Sequence, residues 1–271
     1  MQKLIVVPAR YGSTRFPGKP LAKINGISML RRTARIAQNA SSQLKECDYV
    51  VATDDDRIAS HCELHKLDYV MTSSELKTGS DRALAAAATL EASNGKTYGG
   101  IINLQGDAPF TSTAHIIQIA KTLEAGADVA TPYTRLSWEA LDILRAHKVE
   151  TPFSGTSVIV SPEGKAIWFS KNIIPAIRKE TALRQESKLS PICRHIGLYA
   201  YRREALEKFT QLPESSYEKL EGLEQLRLIE NGMSIDCVSV SPSPIAISGI
   251  DAPSDVAQAE ALILKHGEPY Q

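Results

Sequence analysis

Residues 4–21 read LIVVPARYGSTRFPGKPL, and this stretch joins a run of four apolar residues to a polar loop. Two glycines and a serine let the loop backbone pass close to a ligand, while Arg10, Arg15 and Lys19 concentrate three positive charges in it. This combination predicts a loop that binds a triphosphate. It is not a Walker A motif, because no Gly-Lys-Ser/Thr follows the glycines. A solvated basic loop is the alternative that the segment alone leaves open.

Similar apolar runs alternate with helix-like segments over the first 125 residues or so. Strands are predicted at Leu4–Val7, Tyr49–Ala52, Tyr69–Met71 and Ile101–Leu104, and helices at Ser28–Ala40, Asp55–Lys66, Ser80–Ala92 and Ser112–Glu124. The alternation predicts βαβ units, and therefore an α/β fold with a Rossmann-like, mainly parallel sheet flanked by helices. Since ligands bind beyond the carboxyl ends of such strands, residues 8–19, 53–55 and 105–107 are expected to build the site.

The regular alternation of predicted strands and helices ends at about residue 150. Strand-like runs follow at Thr156–Val160, Ala166–Phe169 and His195–Tyr201, with a long polar excursion at Arg178–Pro191. They predict a smaller mixed-strand element or lid, residues 151–231, inserted into a main domain of residues 1–150 and 232–271. The last predicted elements are a helix at Leu220–Asn231, a strand at Ile235–Val240 and a helix that Ser254 caps.

Composition argues against several classes of function. The 271 residues include 31 Lys and Arg and 31 Asp and Glu, so no overall positive charge predicts nucleic acid or an anionic membrane as partner. No apolar stretch approaches the ~20 residues of a membrane span, and the N-terminal run is too short for a signal peptide, so a cytoplasmic protein is expected. Four scattered cysteines predict buried thiols, and His61 with His65 predicts an amphipathic helix better than a metal site.

A second informative segment is INLQGDAPF, residues 102–110. Asp107 follows a predicted strand, where a carboxylate could hold Mg²⁺, a cation that prefers hard oxygen ligands. Asp251, in SGIDAPSD, could supply a second carboxylate from a remote part of the chain. Taken alone, either residue could instead belong to a turn or cap a helix.

Together these segments resemble one family, the 3-deoxy-manno-octulosonate cytidylyltransferases, also called CMP-Kdo synthetases. The resemblance spans nearly the whole chain in eight blocks: PARYGSTRFPGKPL, VATDDDRI, MTSSELKTGSDR, NLQGDAPF, AIWFSKNIIP, RHIGLYAYR, LEGLEQLRLIENG and GIDAPSD. It implies a Mg²⁺-dependent enzyme of lipopolysaccharide biosynthesis that converts CTP and an acidic octulosonate sugar (Kdo) to CMP-sugar and pyrophosphate. It also implies a homodimer, in which residues 151–231 form the sugar-binding and dimerisation element and the main domain binds the nucleotide.

The same resemblance implies roles for individual residues. The nucleotide set consists of Ala9, Arg10, Gly12, Ser13, Arg15, Lys19, Thr78, Gly79, Ser80 and Arg82. The sugar set consists of Gln105, His195, Tyr199, Glu224 and Gln225. Asp107 and Asp251 would bind Mg²⁺ and, with Arg10 and Lys19, form the catalytic group. In-line attack on a phosphate needs mainly positioning and charge, so we name no general base and expect His195 to position the sugar.

Several positions depart from the family pattern. A usual His-x-Ser-Gly-Thr reads Leu76-Lys77-Thr78-Gly79-Ser80, QGDEP reads QGDAP with Ala108, Ser157 stands where a lysine is usual, and Lys171 where an arginine is usual. The joint loss of a Glu, a His and a Lys favours a modified sugar such as 8-amino-3,8-dideoxy-octulosonate. Drift around an unchanged substrate explains the departures as well.

Two further functions stay open. The first is a cytidylyltransferase for another acid, a nonulosonate or a phosphonate, because CTP would be handled in the same way. The block RHIGLYAYR favours the octulosonate branch instead. The second is a catalytically inactive binding paralogue, against which the presence of Arg10, Lys19, Asp107 and Asp251 in one chain argues.

Overall fold

The computed structural model describes residues 1–12, 16–243, 249–250 and 252–269. In these ranges the strands are β1 (Lys3–Ala9), β2 (Lys23–Ile24), β3 (Ile27–Ser28), β4 (Cys47–Thr53), β5 (Tyr69–Met71), β6 (Gly100–Leu104), β7 (Val129–Ser137), β8 (Ser157–Val160), β9 (Ala166–Ser170), β10 (Leu189–His195), β11 (Leu198–Arg202) and β12 (Asp236–Ser239). The helices are α1 (Met29–Gln43), α2 (Asp56–His65), α3 (Gly79–Asn94), α4 (Thr113–Glu124), α5 (Trp138–Glu150), α6 (Glu180–Glu186), α7 (Arg203–Gln211), α8 (Ser216–Glu221), α9 (Leu226–Glu230) and α10 (Pro253–His266), with one 3-10 turn at Lys19–Leu21.

The first half of the main sheet is a block of parallel strands in the order β5-β4-β1-β6. Along β1, Leu4 and Val6 pack into one core and Ile5 and Val7 into the core on the other face, all fully buried. Burial on both faces explains why these strands are continuous apolar runs. The predicted α/β fold, with a parallel sheet flanked by helices, is confirmed.

The second half of the same sheet is built from antiparallel neighbours. From β6 the order continues β11-β7-β10-β8-β9, and β12 runs parallel to β7. The mixed strands predicted after residue 150 therefore extend the central sheet, and β11 lies next to the parallel block. That residues 151–231 serve sugar binding and dimerisation stays a prediction.

Local capping explains where the helices of the parallel half begin. The Ser28 hydroxyl accepts the Arg31 N–H at the start of α1, and the Asp55 carboxylate accepts the Arg57 N–H at the start of α2. Thr78 and Asp81 form a capping box at the start of α3. These helices therefore start within one residue of the predicted positions.

The structure corrects three details of the sequence prediction. The predicted strand His195–Tyr201 is two strands, because the chain crosses at Ile196–Gly197 from one edge of β7 to the other. The predicted helix Leu220–Asn231 is broken by Gly222, whose φ of +62° ends α8. The last helix begins at Pro253, so Ser254 lies inside it and is not its cap.

No helix in the described ranges is both long enough and apolar enough to cross a membrane.

Candidate active site

The loop after β1 is shaped by one glycine and one aromatic ring. The Gly18 N–H donates to the Tyr11 carbonyl at 3.0 Å and so closes the loop. Gly18 has a φ of +69°, and a Cβ at this position would lie 3.2 Å from the Tyr11 ring. Only glycine adopts this conformation without strain, so residue 18 fixes where the 3-10 turn starts and where Lys19 projects. Ser13 and Arg15 of the nucleotide set lie outside the described residues.

The loop after β6 packs directly against the end of β1. A Cβ on Gly106 would lie 2.5 Å from the Pro8 carbonyl oxygen, a distance that real Cβ atoms do not show. The Thr33 hydroxyl of α1 also donates to the Gly106 carbonyl, at 3.3 Å. The two loops therefore touch through backbone, and Asp107 is brought next to the β1 loop.

Lys19 and Asp107 form an ion pair across this contact. The Lys19 ammonium lies 2.6 Å from Asp107 Oδ2, with exposed side-chain fractions of 15% and 34%. Two residues that are 88 positions apart in the sequence thus meet at the carboxyl edge of the sheet. The pairing holds the lysine in place while leaving the carboxylate open to solvent and ligand.

Two further cations of the nucleotide set lie together beside β1. Arg82 is fully buried and donates to Asp54 Oδ2 at 2.9 Å and to the Thr72 hydroxyl at 2.5 Å. Burial lowers the pKa of Arg82, Asp54 partly offsets that effect, and the charge of Arg10 lowers the pKa further. Arg10 also has a buried guanidinium nitrogen, Nη2, without a hydrogen-bond partner. An anion bound here would offset the repulsion between Arg10 and Arg82 and would accept a hydrogen bond from Arg10 Nη2.

The start of α3 connects the nucleotide set with the sugar set. A Cβ on Gly79 would lie 3.3 Å from the Gln105 amide, so the absence of a side chain lets the helix approach β6 closely. The next residue, Ser80, donates its hydroxyl to Glu224 Oε2 at 3.2 Å. Thr78 is engaged in its capping box with Asp81. Residues that the family resemblance assigns to two different substrates therefore lie side by side and form one continuous wall of the site.

Three members of the sugar set carry buried polar atoms that lack partners. The atoms are Glu224 Oε1, Gln225 Nε2 and the Tyr199 hydroxyl, which lies near Thr131 without forming a hydrogen bond of standard geometry. Burial raises the pKa of Glu224, although the Ser80 and Thr78 hydroxyls partly counter this. Unpaired buried polar atoms are costly, so this group of donors and acceptors is suited to a polar ligand such as a polyhydroxylated sugar.

His195 is held as a neutral, oriented ring. Its Nε2 lies 2.9 Å from the Thr131 hydroxyl, which itself donates to the Leu198 carbonyl at 2.8 Å. The hydroxyl must therefore accept the Nε2–H, which assigns the tautomer. The ring also contacts Phe169 edge-on at 5.0 Å. Burial, and secondly the charge of Lys171, lower the pKa of His195 to about 3. Positioning fits this environment better than proton transfer.

Two carboxylates are predicted to bind Mg²⁺. Asp107 is described and presents hard oxygen atoms at the mouth of the site, whereas Asp251 lies outside the described residues. Ile250, which precedes it, donates its N–H to the Asp107 carbonyl at 3.0 Å. Within the described ranges no three His, Cys, Asp or Glu side chains group as a metal site. Mg²⁺ is usually held by one or two carboxylates plus substrate phosphates, so the residues present fit this ion.

Two residues that support the site were given no individual role from the sequence. Asp54, the partner of Arg82, stands directly after β4 in TDDD and lies within the range 53–55 that was expected to build the site, but its pairing with Arg82 was not predicted. Thr131, which orients His195, lies in β7. This strand contains Pro132 and was not predicted from the sequence. Its sequence carries no local sign of the contact.

The positions that depart from the family pattern lie in different parts of the site. Ser157 is buried at the start of β8, opposite Arg194 of β10. Lys171 follows β9, and its charge acts on His195. Ala108 lies in the turn after Asp107, and its N–H donates to the Gln105 carbonyl at 3.0 Å.

Comparison with known proteins agrees with this geometry. Residues 4–235 match the family model described as Cytidylyltransferase. A 3-deoxy-manno-octulosonate cytidylyltransferase of Maricaulis maris is 40% identical over 270 residues, which cover 99% of each chain. A protein of the same name from Leptospira interrogans is 38% identical over 258 residues, 94% of each chain.

Solved structures give the same result. CMP:2-keto-3-deoxy-manno-octonic acid synthetase complexed with CTP superposes with a TM-score of 0.78 and 30% identity, covering 98% of this chain and 99% of that one. A cytidylyltransferase from Leptospira borgpetersenii has a TM-score of 0.60 at 15% identity, covering 98% of this chain and 87% of that chain, which shows a shared fold.

Proposed function

The chain belongs to the 3-deoxy-manno-octulosonate cytidylyltransferases, a family of nucleotidyltransferases, and on that premise we propose that it transfers CMP from CTP to an acidic octulosonate sugar. The sugar is Kdo or its 8-amino-3,8-dideoxy analogue, the product serves lipopolysaccharide biosynthesis, and pyrophosphate is released. Mg²⁺ is the proposed cofactor.

One observation carries the proposal. Among the described residues, seven buried side-chain nitrogen or oxygen atoms lack a hydrogen-bond partner, and five of them belong to Arg10, Arg82, Tyr199, Glu224 and Gln225. These five are all members of the nucleotide or sugar set. Stable folds rarely leave such atoms unpaired, so their concentration here supports a site whose ligands complete the hydrogen bonds.

The residues of the nucleotide set suit the triphosphate. In the proposed reaction the anomeric oxygen of the sugar attacks the α-phosphorus, a new P–O bond forms, and the bond to the β-phosphate oxygen breaks as pyrophosphate leaves. Lys19, held by Asp107, and the half-buried Arg10 would stabilise the charge on the phosphate oxygens. Mg²⁺, when bound by Asp107 and Asp251, would supply further positive charge to the same oxygens.

The sugar set would orient the acceptor. His195 is neutral and its Nε2–H is donated to Thr131, so its other ring nitrogen, Nδ1, is suited to accepting a hydrogen bond at a constant position. Glu224, Gln225 and Tyr199 offer unpaired polar atoms to sugar hydroxyls. We assign no general base, because in-line attack on a phosphate needs mainly positioning and charge.

The proposal includes a cytoplasmic homodimer. All four cysteines are free, and burial raises the pKa of Cys47, Cys62 and Cys237 to about 12, which suits a reducing compartment. Dimerisation through residues 151–231 rests on the family resemblance and is testable by sedimentation of the purified protein.

The decisive experiment offers purified protein CTP, Mg²⁺ and one of three acids: Kdo, 8-amino-Kdo or N-acetylneuraminate. Pyrophosphate release together with the mass of the CMP-sugar identifies the substrate. Turnover of an octulosonate is expected. Turnover of N-acetylneuraminate alone would replace the proposal with the nonulosonate alternative, and no turnover of any acid would favour the inactive paralogue.

The choice between the two octulosonates is tested by restoring family-like residues. If Ala108 and Ser157 were altered around a modified sugar, Ala108→Glu and Ser157→Lys should change the ratio of kcat/KM for Kdo and 8-amino-Kdo. The expected change is roughly ten- to hundred-fold, since an unpaired polar partner costs on the order of 1–3 kcal/mol. An unchanged ratio would mean that both positions lie beyond the reach of the sugar.

A further inference from the structure

Lys148 of α5 is a half-buried lysine that binds backbone and no carboxylate. Its ammonium donates to the Lys171 carbonyl at 2.6 Å, to the Pro152 carbonyl at 3.2 Å and to the Ser154 carbonyl. In the part of the chain that the structure describes, it forms no ion pair. One side chain therefore ties the loop after α5 to the residue that follows β9.

Glu221 holds the same residue from the opposite side. Its Oε2 accepts the Lys171 N–H at 2.7 Å, and its Oε1 accepts the Ser170 hydroxyl at 2.8 Å. The backbone of Lys171 is thus fixed at its N–H by the last residue of α8 and at its carbonyl by α5. Two separate helices converge on one residue of an otherwise irregular segment.

The charged groups that act on Lys148 are mainly cations. Burial, followed by the charges of Lys171 and Arg194, lowers the pKa of Lys148, and the charge of Glu221 partly offsets that effect. Burial also lowers the pKa of Arg194, which forms no ion pair with any described residue. Two neighbouring cations therefore act on Lys148, and Glu221 is the carboxylate that partly compensates them.

The cluster lies beside a member of the sugar set. Lys171 follows β9, whose Phe169 contacts the His195 ring at 5.0 Å, and the charge of Lys171 lowers the pKa of His195. The Lys148 ammonium also lies 3.5 Å from the Gly155 carbonyl, two residues before Ser157, where the family pattern has a lysine. This chain therefore supplies a positive charge near that strand end from α5.

We propose that Lys148 is a positioning residue which, with Glu221, fixes the backbone of Lys171 and thereby holds the cationic side of the sugar pocket in place for the carboxylate of the sugar. The inference rests on the proposed function, because it needs an acidic acceptor in the pocket. The ammonium group of Lys148 is occupied by hydrogen bonds to backbone carbonyl groups, so Lys148 acts through Lys171.

The test is steady-state kinetics of Lys148→Met, with Kdo or 8-amino-Kdo, whichever the wild type uses, and with CTP. We expect KM for the sugar to rise about ten-fold, the effect of losing roughly 1.4 kcal/mol of positioning, and KM for CTP to change less than about two-fold. Lys148→Arg keeps N–H donors for the carbonyls and should recover most of the sugar affinity. Lys165→Met, which removes a surface lysine paired with Asp236, is the matched control and should behave like the wild type.

Glu221→Gln provides an independent second variant. If both side chains act on the same Lys171 backbone, the rise in sugar KM of the double variant should be smaller than the product of the two single effects. An unchanged sugar KM in folded Lys148→Met, an equal rise in both KM values, or no recovery in Lys148→Arg would overturn the proposal. If Lys148→Met does not fold, Glu221→Gln decides alone, since an unchanged sugar KM there also overturns it.

The two proposals can fail separately. Wild-type turnover of the panel of acids tests the proposed function, and the ratio of variant to wild type tests Lys148. If the wild type uses a different acid, the same ratios are measured with that acid.

Discussion

Gly106→Ala tests the contact that brings Asp107 to the β1 loop. The added Cβ would lie 2.5 Å from the Pro8 carbonyl oxygen, and Cβ atoms essentially never approach another atom closer than 3.0 Å. Because Pro8 belongs to the central strand β1, neither partner is a flexible side chain. The backbone at residue 106 must therefore move by at least about 0.5 Å, and Asp107 moves with it.

The size of two effects follows from this displacement. Forcing a group into a packed site costs about 1–3 kcal/mol, which corresponds to a fall in Tm of roughly 2–10 °C for a chain of this size. A misplacement approaching 1 Å at a reacting group lowers the rate by up to about a hundred-fold. We therefore expect a folded but destabilised variant whose kcat falls by about ten- to hundred-fold.

The assay combines thermal unfolding with pyrophosphate release at saturating CTP and sugar. Gly197→Ala is the matched control, because a Cβ at Gly197 would meet no atom within 4 Å and its φ is not positive. It should keep both Tm and kcat. Wild-type Tm and kcat in Gly106→Ala would refute the argument, because they would show that the two loops do not need their backbone contact.

Asp107→Asn and Asp251→Asn should each lower turnover by orders of magnitude with little change in Tm, since each removes a hard anionic ligand from Mg²⁺; near-normal activity at saturating Mg²⁺ would contradict the assignment of that residue. Lys19→Ala should lower kcat more than it raises KM for CTP, because its charge matters most as the phosphates reorganise, and an effect on KM alone would indicate ground-state binding. His195 has a pKa of about 3 in the fold against an ordinary value of 6.5, so between these pH values the unfolded chain binds more protons and stability falls as the pH falls. The slope is about 1 kcal/mol per pH unit, and His195→Gln should reduce the loss of Tm between about pH 6.5 and 4.5; equal slopes for variant and wild type would contradict the buried neutral ring.

The amino-acid sequence by itself determined the parallel half of the fold and the residues at its strand ends. Strands such as Leu4–Val7 are buried on both faces, so a short apolar run is enough to identify them. The place of Asp107 after β6 follows from the same pattern, because the ends of parallel strands meet at one edge of the sheet. Each of these patterns lies within a short segment, so it can be recognised without knowledge of the rest of the chain.

Only the tertiary structure decided which distant residues meet. The pairing of His195 with Thr131 depends on the crossing at Ile196–Gly197 from one edge of β7 to the other, and β7 has no clear strand signal of its own. Glu224 reaches Ser80 because Gly222 ends α8 and places the intervening turn in the site. Such contacts arise from the steric fit of whole elements over separations of more than sixty residues, and no local pattern of hydrophobicity or charge encodes them.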